Sequence, residues 1–65
     1  MEARENNVFE GKVIRISEEK DFALIEGDNG QRYYTKLSRV DITLYVGDRV
    51  SFTTMLPVAR NIKLI

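Results

Sequence analysis

The sequence predicts an all-β domain, a small five-stranded barrel, closed or nearly closed, over residues 8–65 behind a polar segment, 1–7. Three observations carry that expectation. From Phe9 onward the chain falls into short runs rich in β-branched and aromatic residues, separated by turn signals at barrel-like spacing. No stretch carries the period of a long helix. The 65 residues allow one core, and a flat five-stranded sheet of that size would leave two edges open to aggregation unless it closed.

Phe9 to Ile16 is the first run, with Gly11 marking either a bulge or a close approach of backbones. Phe22 to Glu26 is the second, and Gly27-Asp28-Asn29-Gly30 supplies residues that accept positive φ in a hairpin turn. Gln31 to Lys36 is the third. Leu37 to Tyr45 lacks a clean period and is expected to hold a short helical turn near Ser38, then a loop. Gly47-Asp48 opens the fourth run, Arg49 to Met55, in which Val50, Phe52 and Thr54 alternate with Arg49, Ser51 and Thr53. Pro57 ends it, because proline cannot donate to a ladder. Arg60 to Ile65 is the fifth, with Ile62 and Leu64 set against Asn61, Lys63 and Ile65. The expected core is Val13, Ile25, Val50, Phe52 and Ile62, and residues 1–7 are expected to fray.

Composition narrows the function. Small scaffolds usually add disulfides, a metal, tight packing or a partner to stabilise a limited core. This chain has no Cys and no His, so it has no disulfide and no thiolate or imidazole ligand. It also lacks the commonest general base. Glu18-Glu19 and Asp28 fall in expected turns without a companion nucleophile, and the glycines form no phosphate-binding loop. EF-hand spacing is missing as well. The inventory argues against an enzyme, and no cofactor or metal is expected. No apolar run approaches the ~20 residues of a membrane span, and MEARENN lacks the apolar stretch of a signal peptide. A cytoplasmic location with no membrane partner is expected.

Net charge is zero but unevenly spread. Residues 1–28 hold four basic side chains against eight acidic ones, and residues 29–65 hold six against two, giving −4 and +4. Gathered on one face, the second group would attract an anion. Alternation in the third run puts Arg32, Tyr34 and Lys36 on one face and Tyr33, Thr35 and Leu37 on the other. If Ile25 and Tyr33 turn inward, the hairpin sets Phe22 or Leu24 beside Tyr34. Aromatics interleaved with cations suit single-stranded nucleic acid, since rings stack on bases while cations follow phosphates. The plainer alternative is a cross-strand contact between Phe22 and Tyr34 that only stabilises the hairpin.

The segment Gly11 to Ile25, G-K-V-I-R-I-S-E-E-K-D-F-A-L-I, resembles the opening of the cold-shock domain, G-x-V-x-W-F-N-x-x-K-G-F-G-F-I, matching at Gly11, Val13, Lys20, Phe22 and Ile25. Gly30 resembles the family's hairpin glycine, and Tyr33 to Val40, Y-Y-T-K-L-S-R-V, falls where the family has V-F-V-H-F-S-A-I. Gly47 to Phe52 is similar to G-x-x-V-x-F, and Pro57 to Ile62 to P-x-A-x-N-V. The resemblance covers residues 9–65 in order. It implies a small five-stranded antiparallel OB-fold barrel that binds single-stranded RNA or DNA across its second and third strands, as an RNA chaperone or transcript regulator.

The departures fall on the expected binding surface. Arg15 stands for the family's exposed Trp, Ile16 for its next Phe, Asp21 and Ala23 for two glycines, and Leu24 for the second Phe. Tyr34 stands for Phe, Lys36 for His and Leu37 for Phe. The loops after Val40 and Thr53 are shorter than the family's. A straight strand would put Val13 and Arg15 on one side, so exposing Arg15 beside a buried Val13 requires a bulge. The expected nucleic-acid contacts are Arg15, Lys20, Phe22, Tyr34 and Lys36, with Arg32 and Arg60. The rival expectation is a protein-interaction or dimerisation barrel using an apolar patch of Ile16, Leu24, Tyr34 and Leu37.

Overall fold

The structure is a computed structural model describing residues 8–55 and 57–65, so the expectation for 1–7 lies outside the described residues. Five strands are present: β1 (Phe9–Ser17), β2 (Phe22–Gly27), β3 (Arg32–Lys36), β4 (Arg49–Met55) and β5 (Val58–Leu64). One turn of 3-10 helix, Leu37–Arg39, follows β3, where the helical turn near Ser38 is expected. The strands close in the order β1-β2-β3-β5-β4, giving the small OB-type barrel.

The barrel is antiparallel except at one seam. Strands cannot alternate in direction around a ring of five, so one neighbouring pair must run parallel. That pair is β3 and β5, joined at Tyr34 and Val58. Pro57, which cannot donate, accepts there: Tyr34 N donates to its carbonyl at 2.9 Å. β5 accordingly starts at Val58 rather than Arg60.

Gly11 is a close approach, not the bulge. It faces Gly27 of β2 and Val50 of β4 at once, and a Cβ there would lie 2.5 Å from the Glu26 carbonyl oxygen. The bulge falls at Ile14, between the pairs Val13–Ile25 and Arg15–Leu24. It lets Val13 point into the core while Arg15 points to solvent, as the Val13/Arg15 conflict requires. The β2–β3 turn forms as expected, with Gly30 at φ 84°, Gly30 N bonded to Gly27 O at 2.9 Å and Gln31 N to Asn29 Oδ1 at 3.0 Å.

A second bulge lies in β5. Between the pairs Ser51–Lys63 and Thr53–Arg60, Asn61 and Ile62 oppose Phe52 alone. Asn61 takes φ 55°, a left-handed conformation that asparagine tolerates better than most residues. The simple alternation expected for the fifth run therefore fails: Ala59 is buried, Ile62 only packs against the core, and Leu64 remains 53% exposed.

The core is Val13, Ala23, Ile25, Tyr33, Leu44, Val50, Phe52 and Ala59. Tyr33 and Phe52 meet edge to face with ring centroids 5.0 Å apart, and Phe9 lies 6.2 Å from each. The Tyr33 hydroxyl accepts a hydrogen bond from Asn29 Nδ2 at 3.1 Å, so burying it leaves no orphaned oxygen. Among the described residues no helix is long and apolar enough to cross a membrane.

Candidate nucleic-acid interface

The register of the first three strands builds the outer face row by row. Arg15, Leu24 and Tyr34 stand directly across β1, β2 and β3, and Ser17, Phe22 and Lys36 form the next row. On the other side of the first row, Lys12, Glu26 and Arg32 form a third. The inward partners are Ile25 with Tyr33 and Ala23 with Thr35, so the outer face is the one expected. Leu24 is the residue opposite Tyr34, while Phe22 reaches it diagonally, ring centroids 5.9 Å apart at 73°. Tyr34 is half exposed and Phe22 partly covered.

A groove of about 520 Å3 runs over these residues, lined by Arg15, Ile16, Ser17, Lys20, Phe22, Leu24 and Tyr34. Four of the expected contacts, Arg15, Lys20, Phe22 and Tyr34, therefore meet in one groove. Lys36 stands beside it, paired with Phe22. Arg32 shares the face but sits in the row where Glu26 offsets its charge. Arg60 is not on this face; it lines a separate cleft between β3 and β5, together with Lys36 and Arg39.

The loop that presents Lys20 is anchored. Lys20 N donates to Ser17 Oγ at 3.2 Å. Asp21 accepts from Ser38 N at 3.0 Å and Ser38 Oγ at 2.8 Å. The β1–β2 loop is thus tied to the 3-10 turn after β3, and the two ends of the face are held together. Residue patterning did not reveal Val58 as the neighbour of Tyr34, because it arrives through the β3–β5 seam, a pairing of segments far apart in sequence. Arg39 reaches the cleft from the 3-10 turn that follows β3.

At the end of the barrel by the β2–β3 turn, where Arg49 pairs with Lys12, Arg49 reaches Asp28 with two hydrogen bonds of 2.8 Å and Glu10 at 3.5 Å. The hydrogen bonds from Arg49 hold the Asp28 carboxyl below its ordinary range, outweighing a smaller opposing effect of desolvation. Among the described residues, no group of three or more Asp or Glu side chains could hold a metal ion. No protein-family profile matches the chain, and no curated protein matches it at a significant level.

Proposed function

We propose that this chain is a non-enzymatic, cytoplasmic binding module for single-stranded RNA or DNA, with low sequence preference, acting as a divergent cold-shock protein. RNA chaperoning or transcript regulation is the corresponding role. The observation that carries the reading is the pair of adjoining rows Arg15–Leu24–Tyr34 and Ser17–Phe22–Lys36. They set two rings among three cations, counting Lys20, on the strand face that OB barrels offer to oligonucleotides. The likeness to the cold-shock domain supports it through the motifs at Gly11–Ile25, Tyr33–Val40, Gly47–Phe52 and Pro57–Ile62.

The platform is thinner than the family's, since Arg15 and Leu24 occupy two ring positions. Base stacking contributes roughly 1–3 kcal/mol per base, so the missing rings cost about 2–6 kcal/mol, partly recovered where Arg15 stacks its guanidinium or pairs a phosphate. Binding then leans on charge. Its logarithm should fall with the logarithm of salt, with a slope of about −0.7 per phosphate neutralised. Fluorescence anisotropy with a short oligopyrimidine at two ionic strengths tests this. Saturable, salt-weakened binding is expected; tight, salt-insensitive binding refutes the thinned platform, and no binding at low salt refutes the function. The protein-interaction reading is weakened because Ile16 and Leu37, two of its four apolar residues, pack against the core.

A further inference from the structure

Three basic side chains line the cleft between β3 and β5. The two strands share one register position, Tyr34 with Val58, and beside it opens a cavity of about 510 Å3. Among the described residues, Lys36, Arg39 and Arg60 stand around it against one carboxylate, Asp41. None of the three cations is in an ion pair among the described residues; the ion pairs there belong to Arg49. Thr35 also lines the cleft and is only 5% exposed. Its hydroxyl makes no hydrogen bond to any described residue, although buried hydroxyls are nearly always paired. An oxyanion in the cleft would accept that hydrogen bond and sit among the three cations. No aromatic side chain lines the cleft, so it offers a base nothing to stack on.

We infer that the cleft holds a backbone phosphate of the strand bound on the outer face, so that the nucleic acid turns from β3 onto β5. This rests on the proposed function. Lys36 is the shared residue: it faces Phe22 in the outer row and also lines the cleft. Neighbouring strands lie about 4.8 Å apart, so a strand leaving Tyr34 meets the cleft at once. The bulge next to Arg60 is held by Asn61 Nδ2, which donates to Thr53 Oγ1 at 3.0 Å.

Two measurements test the inference separately from the reading beneath it. In the first, pyrophosphate is titrated while backbone amide shifts are followed. Saturable shifts are expected at Thr35, Arg39, Arg60 and Asn61, and they should vanish in the double variant Arg39→Glu with Arg60→Glu. No shift there, or shifts only with a glutamate-rich peptide, overturns the inference. The second compares oligopyrimidines of about four and about eight nucleotides, within the roughly 4–16 that one OB fold covers. The longer one should bind wild type more tightly. The double variant should lose that gain and about 0.7 of salt slope per phosphate contact, while keeping its affinity for the shorter one. An undiminished gain overturns the inference. Failure of wild type to bind either oligonucleotide overturns the proposed function instead, and the pyrophosphate titration still decides whether the cleft takes an oxyanion. Arg39→Gln with Arg60→Gln, whose amide spectrum reports folding directly, should reproduce a smaller loss.

Discussion

Asp21 stands in the left-handed region at φ 60°, where the resemblance would place a glycine. A Cβ there costs about 1–2 kcal/mol in general, and Asp21 offsets it by accepting two hydrogen bonds from Ser38, while its carbonyl accepts from Leu37 N at 3.2 Å. Asp21→Ala keeps the strained backbone and loses the side-chain bonds, so it should lower stability by about 1–3 kcal/mol. Asp21→Gly loses the same bonds but relieves the backbone and should cost less. Urea denaturation of the two variants checks the order; a glycine variant weaker than the alanine one would refute the argument. Phe52 is the contrasting case, 1% exposed and in ring contact with Phe9 and Tyr33. Emptying such a site costs about 3–5 kcal/mol, a large share of the roughly 5–15 kcal/mol of a native domain. Phe52→Ala should therefore melt far lower or not fold, and an unchanged melting temperature would refute the barrel.

Strands β2 and β3 form the element on which the proposed function depends. Tyr34 is half exposed and Lys36 points outward, so Lys36→Glu should leave the melting temperature nearly unchanged, while Tyr34→Ala should lower stability only by the roughly 0.5–1.5 kcal/mol of its edge contact with Phe22. Tyr34→Ala should weaken oligonucleotide binding by the roughly 1–3 kcal/mol of one stacked base, read by anisotropy. Lys36→Glu should weaken it and flatten its salt dependence. Light scattering on the same variants tests the rival: loss of a dimer on Tyr34→Ala, with binding unchanged, would favour protein interaction. This hairpin was legible because its signals are local, a Gly-Asp-Asn-Gly turn between two runs with a clear inner face. The bulge at Ile14 was legible as a conflict, since Val13 and Arg15 cannot share a side. The place of Arg60 in the β3–β5 cleft was not legible, for the opposite reason. Its position depends on the Asn61 bulge and on the β3–β5 seam, neither of which has a local pattern. Leu44 and Ala59 were missed from the core because one comes from an aperiodic loop and the other from a strand start hidden behind Pro57.

At the scale of the whole barrel, closure redistributes the charge that the sequence divides into an acidic first part and a basic second part. Arg49, from the basic part, opens β4 and is delivered onto Asp28 and Glu10 from the acidic part. The same junction carries backbone bonds from Asp28 N to Glu10 O, Gly47 N to Val13 O and Val13 N to Asp48 O, so the ion pair clasps the turn of the hairpin to the strands that close the ring. This has a pH signature. Asp28 is held below its ordinary value of 3.8 by Arg49, so on acidification the unfolded chain takes up the proton before the folded one does. The pair's contribution is whole above that ordinary value and is lost as pH falls through the lower folded one. Arg49, raised by the same contact, stays charged throughout and adds no slope of its own. Asp28→Asn should therefore be less stable than wild type at neutral pH, with the gap closing once the wild-type carboxylate is protonated. The pair is exposed, so added salt should narrow the gap at neutral pH as well. Urea midpoints for both proteins, taken from neutral to strongly acidic pH at low and high salt, give the comparison. A gap that persists unchanged into strong acid would mean that Arg49 does not act through the charge of Asp28.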